Sequence, residues 1–330
     1  MTRWSSAAVG LAVLLSPCSA EPRVKREFVR PCMGTLFGIV IHSERSEAAA
    51  EAAADDAFAL AAELDACLSD YRADSEVGRF HRSPAGEPQP ISATLADILS
   101  RSEELCETTR GAFDPARGAL TRLWRMARRT GKLPSAEDLL AGREASGLRQ
   151  LEFDSEKRTL TRRCQLARLD FGGIAKGYAA DAMLTLLRER GFPCASVAAG
   201  GDVRCGDPPP GQAGWKVEVR LAGDSSPAAL ILVVANGAVS TSGRFEQNLT
   251  ISGAHYSHII DPATGLGLTS NRAATVIAPT ATESDALATA LCVLGESGIP
   301  LIASRKGCEG AVFASASARA PAFQTEDFAK

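Results

Sequence analysis

Leu169-Asp170-Phe171-Gly172-Gly173-Ile174-Ala175-Lys176-Gly177-Tyr178-Ala179-Ala180-Asp181 is the densest stretch of this chain, and its elements set the terms for the rest. The run from Leu166 to Asp170 predicts a strand, the glycine pair a tight turn, and Lys176 to Arg190 a helix. Glycines let a ligand approach the backbone, and the first turn of a helix offers unpaired N–H groups to an anion. Lys176 would stand at that helix start. The pattern is not a P-loop, because Lys176 is followed by Gly177 and the glycine spacing is wrong. Taken alone, the segment reads equally well as a strand-to-helix turn with no ligand.

On the N-terminal side, Phe28 to Ser43 reads as extended, with Gly34-Thr35 inside it. Glu47 to Leu68 is Ala-rich and acidic without Gly or Pro, which predicts a helix. Ser83 to Pro90 is a Pro-rich loop. Further helices are expected over Thr94 to Thr109, over Leu120 to Arg129, and after the capping-box-like Ser135-Ala136-Glu137-Asp138. From Leu151 short strands take over: Leu151–Phe153, Leu160–Arg162, Ser196–Ala199, Trp215–Leu221, Leu230–Ala235 and Ala238–Ser240. Asp207-Pro208-Pro209-Pro210-Gly211 is a rigid loop among them. The end reads strand (Ala273–Ala278), helix (Ser284–Leu294), strand (Ala311–Ser315). No internal repeat and no linker divides the chain. One α+β unit with its helices clustered in the N-terminal half fits this order better than alternating βαβ units.

The composition agrees. Of 330 residues, 45% are hydrophobic and 23% charged, the balance of a soluble globular protein. A net charge of −3 removes the bulk electrostatic case for binding nucleic acid. Aromatic residues are only 5%, so Ala, Leu, Val and Ile must build the core. No run of about 18 apolar residues offers a membrane span. Arg3, the apolar run Ala7 to Leu15 and Ser19-Ala20 have the layout of a secretory signal, so residues 1–20 are expected to be removed and 21–330 to form the working domain. Leu15-Ser16-Pro17-Cys18 also resembles a lipobox, although Pro17 fits it poorly; only lipid on Cys18 would tie the protein to a membrane. The remaining eight cysteines contain no C-x-x-C pair, and both disulfides and buried thiols stay open for them.

Three further segments carry candidate chemistry. Gly200-Gly201-Asp202 follows a strand and by itself is only a turn. In Tyr256-Ser257-His258-Ile259-Ile260-Asp261-Pro262-Ala263-Thr264-Gly265, His258 precedes an Asp-Pro turn and suits a base or a phosphate contact. In Thr282-Glu283-Ser284-Asp285-Ala286-Leu287-Ala288-Thr289, Asp285 and Thr289 are four apart and share a helix face. Carboxylate plus hydroxyl is a hard-oxygen pair suited to Mg²⁺. Alone, Asp285 also reads as the acid favoured near a helix start, with Thr282 as its cap.

Together these segments resemble the FAD:protein FMN transferase (ApbE) family, in order from Met33-Gly34-Thr35 to the strand near Phe313. The likeness includes Leu68-Ser69-Asp70-Tyr71 with Ser75-Glu76, Gly111-Ala112-Phe113-Asp114-Pro115, the 170–181 segment, Gly200-Gly201-Asp202, Ser240-Thr241-Ser242-Gly243, Ser257 to Gly265, and Asp285 to Ala290. The resemblance implies a single ApbE-like (T-fold-like) unit with mixed and antiparallel sheets. It implies an enzyme that uses FAD and Mg²⁺ to attach FMN to a threonine of a target protein, releasing AMP; with the expected secretory signal, the enzyme is exported, periplasmic or cell-envelope, and its acceptor exported or membrane-associated. FAD hydrolysis to FMN and AMP, or non-catalytic flavin carriage, are the alternatives. Carried onto this chain, flavin and pyrophosphate contacts fall on Met33, His81, Ala112, Phe113, Asp114, Asp170, Lys176 and Ile259. The metal falls on the Gly173 carbonyl, Asp285 and Thr289, and Lys176 would stabilise charge while His258 or Asp285 takes the acceptor's proton. His81 stands where the family commonly carries Asn or Tyr, a position that lies against the flavin in relatives and bears on hydrolysis against transfer.

Overall fold

The structure, a computed structural model, describes residues 23–221, 228–243, 249–251, 253–315 and 318–328. The expected signal segment and Cys18 lie outside the described residues. The first half holds β1 (Val24–Cys32), β2 (Thr35–Ser43), α1 (Glu47–Leu68), α2 (Glu76–Phe80), β3 (Gln89–Pro90), α3 (Ala93–Thr108), α4 (Gly118–Thr130), α5 (Ala136–Glu144), β4 (Leu151–Asp154) and β5 (Thr159–Arg162). Then follow α6 (Ala175–Glu189), β6 (Ala195–Ala199), β7 (Asp202–Cys205), β8 (Trp215–Val219), β9 (Leu230–Val234), β10 (Ala238–Gly243), β11 (Leu249–Ile251) and β12 (Ala254–Tyr256). The chain closes with β13 (Ala273–Ala278), α7 (Ala281–Leu294), α8 (Ile299–Ala303), β14 (Glu309–Phe313) and β15 (Phe323–Gln324).

The main sheet has the order β1-β2-β6-β7-β10-β13-β14-β15, and its neighbours pair antiparallel. On one face Phe37, Ile39, Ile41 and Val197 meet the alanine stripe of α1 (Ala50, Ala53, Ala54, Ala57, Ala61) and the buried side of α6. Small side chains let these helices lie close to the sheet, which is how a core with few aromatics reaches native density. The hairpin β8–β9 covers the other face through Trp215, Val217, Val219, Leu232 and Val234, packed on Phe313. A third apolar cluster joins α3 and α7 to the Gly-rich segment through Leu169, Phe171 and Ile174. The stretch Ala281–Ala303 is long and apolar enough to cross a membrane by composition, yet half of it is buried within the fold, with Val276 and Val312 of the sheet in the same core cluster.

Helix α1 has the predicted bounds because its signals are local: Ser46 caps it by accepting from the Ala49 N–H, and no Gly or Pro interrupts it. Three expectations are corrected. Phe28 to Ser43 is not one extended run but a hairpin, turned by Met33 and Gly34, both at positive φ (48° and 75°) as a two-residue primed turn requires. Leu166–Asp170 is not a strand; its backbone bonds to the turn ahead of α4, with Asp170 N–H donating to Pro115 O (2.6 Å) and Gly118 N–H to Arg168 O (3.1 Å). Helix α7 starts at Ala281, with Thr280 rather than Thr282 as its cap.

Helices α6 and α7 approach closely at Gly177, where an added Cβ would overlap the Ala281 carbonyl oxygen and lie 3.0 Å from Asp285 Cβ. Backbone cannot yield as a flexible side chain can. Gly177→Ala is therefore expected to destabilise the fold by roughly 1–3 kcal/mol through overpacking. Urea unfolding of the purified variant checks this; an unchanged midpoint would show that the helices have room to separate.

Candidate active site

The strand ends, the Gly-rich segment and the helix starts enclose a cleft of about 770 Å³. Met33, Ala112, Phe113, Asp114, Asp170, Gly173, Lys176, His258, Ile259, Asp285 and Thr289 all line it, so the structure brings together residues spread over more than 250 positions. His81 is the exception. It is buried (5% exposed) behind the wall, and its Nε2 accepts the Leu169 N–H at 2.9 Å. The ring therefore braces the Gly-rich segment from outside the cleft and does not face a ligand there. Burial, with Arg168, Arg162 and Arg125 nearby, pushes its pKa down to about 3, so the imidazole is neutral, as its acceptor role demands.

Lys176 is the second residue of α6, whose first turn has no side-chain cap. Its Nζ donates to Gly172 O (3.1 Å) and lies 3.6 Å from Asp202 Oδ2 and 3.8 Å from Asp285 Oδ2. Asp285 is 2% exposed, and its Oδ2 accepts the Gly177 N–H at 3.2 Å. One helical turn on, Thr289 Oγ1 lies 3.3 Å from Ser242 Oγ, and a Cβ on Gly173 would come within 3.1 Å of Thr289 Oγ1. A side chain at 173 would thus fill the space between its own backbone and the threonine hydroxyl. Gly173 O, Asp285 and Thr289 are hard oxygen donors in one corner of the cleft. Among the described residues no group of three or more His, Cys, Asp and Glu side chains stands ready to hold a metal; a cation in this corner would complete its shell with water or substrate oxygens, as Mg²⁺ characteristically does.

Leading into the same glycine turn, Asp170 Oδ1 accepts the Gly172 N–H (2.8 Å) and Oδ2 meets Arg125 Nη2 at 3.3 Å. Arg125 also forks onto both oxygens of Asp70 and lies 3.8 Å over the ring of Tyr71. Burial and the neighbouring Asp170 raise the Asp70 pKa above the usual carboxylate range against the pull of Arg125. Asp114 caps the turn after it through the Ala116 N–H at 2.8 Å. His258 is exposed to the cleft's water while the walls crowd it; desolvation and the Lys176 charge lower its pKa. Its loop is fixed from both sides: Asp261 accepts from Ala263 N–H (2.9 Å) and Thr264 Oγ1 (3.1 Å), and Trp124 Nε1 donates to Gly265 O (2.9 Å).

Sequence reasoning missed several groups. Arg125 gave no signal, because one arginine on a basic helix is indistinguishable from a solvated face. Asp202 was visible but read only as a turn residue. Asp181 ended the quoted motif without a role, yet it accepts from Ala281 N–H (3.0 Å), Thr282 N–H (2.8 Å) and Thr282 Oγ1 (2.7 Å), and pairs with Arg204 Nε at 2.8 Å. It ties the helix carrying Lys176 to the start of the helix carrying Asp285 and Thr289.

The ApbE family model matches residues 33–312. The chain belongs to the ApbE family. It is 32% identical over 295 residues to a FAD:protein FMN transferase of Treponema pallidum, covering 84% of this chain and 81% of that protein. It is likewise 32% identical over 249 residues to the enzyme of that name from Escherichia coli K12, covering 74% and 71%. Solved ApbE structures share its mixed helices and antiparallel sheet. The protein from Thermotoga maritima superposes with a TM-score of 0.79 at 27% identity (88% and 94% covered). The apo flavinyl transferase ApbE of Pseudomonas stutzeri gives 0.75 at 29% identity (88% and 91% covered).

Two measurements check the supports behind this ApbE-family cleft. Asp181→Ala removes a charged acceptor from the first turn of α7 and leaves Arg204 without that carboxylate, so a loss of about 2–3 kcal/mol in urea unfolding is expected. His81 supplies a pH signature. Its folded pKa lies far below the unfolded value of about 6.5, so between the two only the unfolded chain takes up the proton and stability falls as pH drops. His81→Gln keeps an acceptor but cannot titrate. Its stability deficit at pH 7 should therefore shrink at pH 5, at up to about 1.4 kcal/mol per pH unit. A pH-independent gap would place the imidazole in water in the folded protein.

Proposed function

We propose that this chain is an exported FAD:protein FMN transferase that uses Mg²⁺, cleaves the FAD pyrophosphate, attaches FMN through a phosphoester to a threonine of an exported or membrane-associated acceptor protein, and releases AMP. The observation that carries the reading is the meeting, in one cleft, of Lys176 with the oxygens of Asp285 and Thr289 at the end of a glycine turn. The corner suits a hard cation on its own terms. Two buried carboxylates, Asp202 and Asp285, both lie within 4 Å of the Lys176 ammonium, and Asp202 Oδ2 makes no hydrogen bond. Gly173 O, Asp285 and Thr289 would hold Mg²⁺, which when bound neutralises pyrophosphate oxygens and orients the phosphorus.

The chain's own groups supply the rest. Gly172 and Gly173 let phosphate approach the backbone, and Lys176 offsets the charge that builds on the transferring phosphoryl group. His258 is the better-placed base for the acceptor hydroxyl, because its imidazole is exposed and lines the open cleft. Asp285 is less free for that task, since Gly177 N–H and Lys176 already engage Oδ2. Ala112, Phe113 and Ile259 are buried residues of the wall, an apolar surface for a ring system. Arg125, held over Tyr71, borders the same space.

The test incubates the purified protein with FAD, Mg²⁺ and a threonine-bearing acceptor protein. A fluorescent flavin band surviving denaturation, together with AMP, supports transfer; AMP without the band indicates a hydrolase, and neither product a carrier. Asp285→Ala should lower turnover at least ~100-fold, as loss of a metal ligand and its charge would. Near-normal transfer by that variant would remove the metal assignment.

A further inference from the structure

The Gly200-Gly201-Asp202 turn is fitted to Lys176 in a way its sequence does not announce. Gly200 sits at φ +66°, and a Cβ there would lie 3.7 Å from Lys176 Cδ and 3.4 Å from the Thr35 side chain. The lysine stem thus runs past a residue that has no side chain to obstruct it. Two residues on, at the start of β7, the Asp202 carboxylate stands 3.6 Å from Nζ. Asp202 is 3% exposed, lines the cleft, and its Oδ2 has no hydrogen bond; the Ser240 hydroxyl also lies beside the carboxylate. A buried carboxylate with an unbonded oxygen is costly unless a charge faces it, and among the described residues Lys176 supplies one at 3.6 Å.

Asp285 lies on the other side of the same ammonium, at 3.8 Å. On the transferase reading, on which this inference rests, the Asp285 carboxylate is given over to a cation during turnover. Lys176 then loses much of its hold on that side and is repelled by the new charge. We propose that Asp202 is the positioning residue for Lys176: its buried carboxylate keeps the ammonium at the cleft wall, aimed at the transferring phosphoryl group, while Asp285 holds the cation. Asp202 acts only through the lysine and touches neither metal nor substrate.

A double-mutant cycle separates this role from a purely structural one. In the FAD, Mg²⁺ and acceptor assay, Asp202→Asn should lower kcat at least 30-fold and leave the FAD dissociation constant within threefold of the wild type. Lys176→Met should show a loss of similar size, and adding Asp202→Asn to it should cost less than threefold more. An equal penalty from Asp202→Asn with and without the lysine would overturn the proposal. Mn²⁺ titration followed by electron paramagnetic resonance gives a readout independent of turnover. Asp202→Asn should bind Mn²⁺ within threefold of the wild type, and a loss as large as that of Asp285→Ala would make Asp202 a ligand and overturn the anchor role. Where thermal unfolding shows that the Asn variant does not fold, Asp202→Ser enters the same cycle. A wild-type protein that fails to transfer flavin would refute the transferase reading; a wild-type protein that transfers beside an Asp202→Asn variant of equal kcat would refute this inference alone.

Discussion

The distance between α6 and α7 governs this site, because Lys176 sits on one helix and Asp285 and Thr289 on the other. Gly177 permits the approach by leaving the Ala281 carbonyl unobstructed, and Asp181 holds it by binding the first N–H groups of α7. Both residues lie within one turn or so of Lys176, so the helix start that presents the lysine also carries the parts that fix its partner. An anionic cap at a helix start is favourable in itself. Here the cap comes from a different helix, which turns a local stabilisation into a tertiary constraint.

Charge in the cleft follows from that constraint. Bringing the helices together places Asp285 beside Lys176, and the main sheet brings β7, with Asp202, to the other side. The result, among the described residues, is a buried group in which two carboxylates lie within 4 Å of the Lys176 ammonium. Around Asp170 another device is used: Arg125 spans Asp70 and Asp170 and rests on Tyr71, so acidic groups there are matched within the protein.

Outside the cleft, the packing explains how residues so far apart in sequence are held. Met33 adopts φ +48°, a conformation costly for a long side chain, in the turn that brings it to the cleft's edge. His81 works from behind, its neutral ring receiving the Leu169 N–H and so fixing the segment that leads into the glycine pair. The expectation of flavin contact at His81 placed it on the wrong side of that wall, because contact with a ligand and support of the residues that touch it look alike in a motif.

What the sequence alone determined was whatever depends on neighbours a few residues away. The bounds of α1, the start of α5 at Ser135, the glycine turn before α6 and the shared face of Asp285 and Thr289 all rest on local propensity, capping and helical period. The likeness to the ApbE family was legible for a related reason, since its motifs are short and ordered along the chain. Only the tertiary structure decided the rest. Leu166–Asp170 has the apolar content of a strand but finds its hydrogen bonds in the turn before α4. Helix α7 begins earlier than its sequence suggests because Thr280 caps it and Asp181, a hundred positions away, takes its first N–H groups. Asp202 reads as a turn residue until the sheet sets it against Lys176. In each case the deciding partner is distant in sequence, and charge and hydrogen bonding act over a few ångströms of space rather than along the chain.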